Sequence, residues 1–122
     1  MKKNAVLVRN LEFTWPASTF STLKIANLKV PENSRTLIQG PSGSGKSTVV
    51  EILAGISEEP KGSITVDGKS IFSNMGGWQK LIGFVPQKVF ILDESLRNNI
   101  LFGLDNKKYT NDQIMLLIKK IS

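Results

Sequence analysis

The spacing of apolar positions changes several times along this chain. From Ala5 to Trp15 apolar and polar residues alternate imperfectly, the period of a half-buried strand. Leu23, Ile25, Leu28 and Val30 predict a second strand or strand pair, closed by a turn at Pro31-Glu32-Asn33-Ser34. Arg35 to Gln39 reads as a short buried strand. Lys46 to Ala54 reads as a helix stopped by Gly55. Gly62 to Gly68 is a strand running into an Asp-Gly turn, the strongest hairpin signal in the chain. Ile82 to Val85 predicts another strand, ended by Pro86. Ser95 to Phe102 predicts a short helix with Ser95 as its N-cap. Thr110 or Asn111 caps a last helix, whose Ile114, Leu117, Ile118 and Ile121 form an apolar stripe. Such a helix either docks on this domain or lacks the partner that covers it. Antiparallel signals dominate the first third, and one strand–loop–helix unit follows. The fold class is therefore mixed α/β.

The loop in that unit carries the chemistry. Gly40-Pro41-Ser42-Gly43-Ser44-Gly45-Lys46-Ser47-Thr48 fits the phosphate-binding pattern G-x-x-x-x-G-K-[ST]. Glycines at 40, 43 and 45 permit positive φ and close backbone approach to a ligand. Successive N–H groups then converge on an anion. The helix that follows, with Val49, Val50, Ile52 and Leu53 as its apolar side, adds the donors and partial positive charge of its N-terminus. Lys46 supplies a full charge for β- and γ-phosphates, and Ser47 a hydroxyl for Mg²⁺. A flexible Gly/Ser linker has similar letters, but lacks an apolar entry such as Thr36-Leu37-Ile38 and a helical exit.

Composition narrows the setting. The 122 residues suit one domain with a modest core. The chain is 40% hydrophobic and 21% charged, ordinary proportions for a soluble domain, with no apolar run of membrane-span length. Ala5 to Val8 is too short an apolar stretch for a signal peptide. With no cysteine there is no disulfide or thiolate metal site, and a cytosolic setting is the default. The net charge of +6, with lysine pairs at 2–3, 107–108 and 119–120, raises a nucleic-acid surface. No stretch interleaves basic with aromatic residues, so the charge reads as solvated lysines facing an anionic membrane surface, and no nucleic-acid partner is expected. The chain has no histidine, which excludes a His base or proton shuttle from its own residues.

In order along the chain come Phe13-Thr14-Trp15, the phosphate loop, Gly62-x-Ile64-x-x-Asp67-Gly68, Ile82-Gly83-Phe84-Val85-Pro86-Gln87 and Ser95-Leu96-Arg97-Asn98-Asn99-Ile100. This series resembles the N-terminal half of the nucleotide-binding domain of an ATP-binding cassette (ABC) transporter, of the exporter type, from about Val6 onward. The resemblance implies a P-loop NTPase-type partial core with an N-terminal antiparallel β subdomain, truncated before the helical subdomain: residues 1–122 as a single partial nucleotide-binding domain. It implies ATP and Mg²⁺ as ligands. Lys46 and Gln87 take the catalytic roles, and Ser47 and Gln87 the metal. Trp15, Gly40, Ser42, Gly43, Ser44, Gly45, Lys46, Ser47 and Thr48 bind the nucleotide. Trp15 stacks on adenine in this reading, and an indole suits that; as an ordinary strand aromatic it belongs instead to the core. Lys88 to Ile100, with the apolar run Val89-Phe90-Ile91-Leu92, is the region implied to meet the transmembrane domain of a transporter. A second nucleotide-binding domain pairs head to tail in the complete protein. The location implied is cytoplasmic, peripheral at the cytoplasmic face of the membrane.

Two features depart from that pattern. The turn before the phosphate-loop strand has Glu32-Asn33-Ser34 where a glycine is usual, and Asn tolerates the left-handed region better than most residues. The Leu-Ser-Gly-Gly-Gln signature, the Walker B strand with its glutamate and the switch histidine are not in the chain. The expectation is ATP binding in an ABC transporter ATPase, without efficient turnover by this chain. An alternative is a complete small P-loop NTPase or kinase in which Val89 to Leu92 is a Walker B strand and Asp93 and Glu94 serve Mg²⁺ and water. Spacing opposes it, since parallel strands need a crossover of about a dozen residues and only Pro86-Gln87-Lys88 intervenes. A third class is a non-catalytic module docking through Val89 to Leu92.

Overall fold

The computed structural model describes residues 4–16 and 22–121, which leaves the lysine pair Lys2-Lys3 outside. The chain forms two compact units, Met1–Phe84 and Val85–Ser122. In the first, β1 (Asn4–Thr14) and β2 (Thr22–Pro31) pair antiparallel, with Val8 opposite Leu28 and Phe13 opposite Leu23. On its other side β1 pairs antiparallel with β3 (Lys61–Val66), which turns back into the short β4 (Lys69–Ser70). The sheet order is β2-β1-β3-β4.

The imperfect alternation of β1 has a structural cause. Its buried positions run Val8, then Leu11 and Phe13, so the inward phase slips by one residue between 8 and 11. At that place three steps of β1, Arg9 to Glu12, oppose two of β3, Ser63 to Lys61, and Asn10 takes φ 48°. This is a bulge. β2 follows the slip with both Ala26 and Asn27 outward. Gly62 sits across the bulge at φ 95°, where a Cβ would collide with the Asn10 carbonyl oxygen. The Asp67-Gly68 turn has φ 49° and 78°, two successive left-handed residues as a tight hairpin requires. Asn33 takes φ 52°, so asparagine does fill the usual glycine position in the turn after β2.

Helix α1 (Lys46–Leu53) lies on the sheet through Ile52, which is 1% exposed within a cluster with Val8, Leu11, Phe13, Ile64 and Ile71. Val49 is also buried, whereas Val50 faces outward. Gly55, at φ 71°, ends the helix as expected: its N–H donates to Ile52 O and that of Ile56 to Glu51 O, the paired bonds of a Schellman cap. A 3-10 turn, Ile71–Asn74, leads into α2 (Met75–Gln79).

Two predicted strands are absent. Neither Arg35 to Gln39 nor Ile82 to Val85 joins a ladder among the described residues. Leu37 is 77% exposed and Val85 84%, so the expected burial is missing as well. An extended apolar segment becomes a strand only beside a partner that takes its N–H and C=O groups, and none of the described residues pairs with these.

The second unit contains α3 (Leu96–Ile100), a 3-10 turn at Asn106–Lys108 and α4 (Asn111–Ile121). Both helix starts match the sequence. Ser95 Oγ accepts from Asn98 N at 3.2 Å. Thr110 and Gln113 form a reciprocal capping box: Gln113 N donates to Thr110 Oγ1 at 3.3 Å, and Thr110 N to Gln113 Oε1 at 2.8 Å. Of the stripe on α4, Ile114 is buried while Leu117 and Ile121 are 50% and 80% exposed.

Gly62 and Gly68 differ in surroundings, not in the sign of φ. Gly68→Ala should cost about 1 kcal/mol, the left-handed backbone penalty alone, because its Cβ would meet open space. Gly62→Ala should cost roughly 3 kcal/mol or more, since relief would require breaking the bulge. Urea unfolding of both variants checks this, and equal costs would contradict the bulge argument.

Candidate functional site

The phosphate loop leaves the Asn33 turn as irregular chain and enters α1 at Lys46. Its three glycines divide the work. Gly43 and Gly45 have φ 79° and 88°. Gly40 serves by close approach, for a Cβ there would lie 2.9 Å from Ser44 Oγ. Gly45 also packs tightly, its would-be Cβ lying 3.0 Å from Leu23 Cδ1. Gly45 is the N-cap of α1, and no side chain caps the helix there. The first N–H groups of a helix lack intrahelical partners, so those of the Lys46-Ser47-Thr48 turn remain available to an anion. The first turn holds no acidic residue to repel one.

Lys46 reaches back over the loop. Its Nζ donates to Gly40 O at 2.9 Å and to Pro41 O at 2.7 Å. The ammonium therefore joins the entrance of the loop to its exit, and Ser44 N adds a bond to Pro41 O at 3.3 Å. Ser42, Ser44 and Ser47 are exposed, with hydroxyls open to a ligand or metal, whereas Thr48 is 8% exposed and packs inward with Val49.

Trp15 is half-buried. It meets Phe13 edge to face, with ring centroids 5.7 Å apart at 78°, and packs against the core cluster. Gln87 belongs to the second unit, on an exposed bend after Pro86.

The second unit is organised by two side chains that sequence reasoning passed over. Asn99 Oδ1 accepts from Leu92 N at 2.8 Å. Its Nδ2 lies 3.1 Å from the carbonyl oxygens of Leu92, Glu94 and Ser95. Arg97 spans α3 to α4: Nη1 donates to Asn111 Oδ1 at 2.6 Å, and Nη2 to Asn106 O at 2.9 Å and Tyr109 O at 2.5 Å. Nothing local marks either residue, because their partners are mostly backbone carbonyls of an irregular loop. This scaffold holds out an apolar run, with Val89, Phe90 and Ile91 between 66% and 84% exposed.

Val89 to Leu92 is not a strand, and the Glu94 carboxylate is engaged by Asn98 Nδ2 at 2.9 Å. Asp93 and Glu94 therefore lack the buried parallel strand on which a Walker B pair is presented. Among the described residues no group of acidic, His or Cys side chains could hold a metal ion. None of their helices is long and apolar enough to cross a membrane.

A glycine-rich loop with an uncapped helix start and a lysine folded over it defines a phosphate-binding-loop protein. The comparisons with known proteins narrow this further. The family model described as "ABC transporter" matches residues 23–121. The chain is 36% identical over 115 residues to "ABC transporter B family member 1" of Dictyostelium discoideum, covering 93% of this chain and 12% of that protein. It is 37% identical over 106 residues to the mitochondrial "ATP-binding cassette sub-family B member 10" of Mus musculus, covering 85% and 15%. It is also 37% identical over 91 residues to the "Sulfate/thiosulfate import ATP-binding protein CysA" of a Synechocystis strain, covering 74% and 25%. The chain belongs to the ABC transporter family, as a part of its nucleotide-binding domain, and spans a quarter or less of the lengths of these three relatives.

Asn99→Ala should release the Leu92–Ser95 turn, raising amide exchange there by roughly tenfold for a loss near 1.4 kcal/mol. Asn99→Asp should release it further, because a carboxylate would face three carbonyl oxygens. Hydrogen exchange across residues 92–95 measures both, and an Asp variant milder than Ala would refute the assigned donor geometry.

Proposed function

We propose that this chain is the ATP-gripping part of a transporter ATPase, its two units belonging to one nucleotide-binding domain. The observation that carries the reading is the Lys46 ammonium held over the loop between Gly40 O and Pro41 O, beside the unpaired donors of α1. Family membership supports ATP as the anion. The loop backbone of Gly40 to Gly45 cradles the phosphates, the hydroxyls of Ser42 and Ser44 line it, and the N–H groups at Lys46 to Thr48 face it. Lys46 binds β- and γ-phosphate oxygens. Bound Mg²⁺ neutralises phosphate charge. The exposed Ser47 hydroxyl suits it as a ligand, and Gln87 is proposed as the amide that reaches the metal and orients water. Trp15 is proposed to stack on adenine with the outer part of its ring, while the inner part stays on Phe13.

The exposed run after Gln87 supports a docking role for Lys88 to Ile100 on a transmembrane domain, at the cytoplasmic face of a membrane. Head-to-tail pairing with a second nucleotide-binding domain completes the assembly. The relatives include proteins named for export and for import. Asp93 and Glu94 are not proposed as the catalytic pair, since Glu94 is engaged by Asn98 and follows a segment that is not a strand.

Titration with a fluorescent ATP analogue tests the reading. Lys46→Ala should weaken binding by about tenfold or more, equivalent to about 1.4 kcal/mol. Ser47→Ala should erase the difference between binding in Mg²⁺ and in EDTA. Unchanged affinity in Lys46→Ala would remove the basis for a nucleotide site. In a steady-state phosphate-release assay, Glu94→Gln should leave the basal rate where it was.

A further inference from the structure

The two ends of α1 are finished differently. Its start is left uncapped for a ligand, whereas the carbonyls of its last turn are all taken. Val50 O accepts from Ala54 N, Glu51 O from Ile56 N and Ile52 O from Gly55 N. The cap leaves Leu53 O, which accepts the indole Nε1–H of Trp78 at 2.8 Å. Gly55 O, just beyond, accepts from Gln79 Nε2 at 2.8 Å. Met75 closes the seat, its sulfur lying where a side chain on Gly55 would be. All three side chains come from α2, twenty or more residues away, and Trp78 and Met75 also touch the core. The chain then turns directly onward, with Leu81 N bonded to Trp78 O and Ile82 N to Gln79 O.

We propose that Trp78 and Gln79 are positioning residues for the phosphate loop, clamping the far end of α1 so that filling the loop is registered at the Trp78 indole N–H. The proposal rests on the reading that the loop takes ATP. An eight-residue helix is a rod of about 12 Å. Phosphates that draw on the donors of its first turn shift or polarise the whole rod, and the clamp is the point at which that pull is resisted. Both clamp residues act at the end of α1 opposite to the phosphate loop.

The chain has two tryptophans, so its ¹⁵N spectrum has two indole resonances. Trp15→Tyr identifies them by the one that vanishes. On titration of the full chain with ATP and Mg²⁺, the Trp78 resonance should move with the midpoint of fluorescent-analogue binding, and Lys46→Ala should abolish the movement. Gln79→Met and Trp78→Phe, which remove the donors and keep most of the side-chain bulk, should each weaken analogue binding about fivefold. A merely structural clamp would leave the resonance still. A still resonance with the analogue bound, or wild-type affinity in both variants, overturns the proposal and leaves the nucleotide reading intact. No binding by the wild-type chain overturns both. The resonance decides alone if the variants fail to fold.

Discussion

A helix of eight residues has no independent stability in water, yet the phosphate loop requires one. Helix α1 exists because Ile52 is taken out of water by the sheet face that Val8, Leu11 and Ile64 present, and Val49 is buried beside it in the same helix. Full burial of an isoleucine contributes about 1.5–3 kcal/mol, and the Schellman cap with the Trp78 bond satisfies the carbonyls at the far end of the helix. That contact fixes where Lys46 begins and in which direction the free N–H groups of the first turn point. The bulge at Asn10 and the approach of Gly62 belong to the same requirement, since they set the inward phase of β1, and with it the surface on which α1 rests.

The loop is held unequally from its two sides. On the helix side the backbone is fixed by α1. On the approach side the chain from Ser34 to Gln39 joins no ladder among the described residues. What joins the two sides is Lys46, which ties the carbonyls of Gly40 and Pro41 to the first turn of the helix. The residue expected to bind phosphate therefore also shapes the loop that binds it.

Features written in adjacent residues were legible in the sequence. The Asp67-Gly68 turn, the left-handed Asn33, the glycine stop at 55 and the caps at Ser95 and Thr110 depend on chemistry within a few positions, and all stand as expected. Strands depend on partners far along the chain. The apolar runs at Arg35–Gln39 and Ile82–Val85 announced a capacity to pair, not the presence of a neighbour. The site divides in the same way. The loop was legible because spacing alone constrains its backbone. The bonds from Trp78 and Gln79 span 25 and 24 positions, and no periodicity encodes a side chain that meets a distant carbonyl. Asn99 sits in an Asn-Asn pair whose two members look alike until the loop is folded around one of them.

The lysine clasp bears on how a nucleotide would be received. An ammonium has three N–H donors, and two are committed to carbonyls of the loop. The third is open to one phosphate oxygen, and reaching β- and γ-phosphate oxygens together draws one more donor off a loop carbonyl. Phosphate carries a full negative charge that the loop carbonyls lack, so the anion attracts the ammonium while the remaining carbonyl bond holds it from behind. The planar fork of an arginine places its donors in fixed directions and could not serve two carbonyls and a phosphate arrayed around a single nitrogen. The position thus demands a tetrahedral donor on a long stem, and that demand follows from the loop's own carbonyls before any ligand arrives.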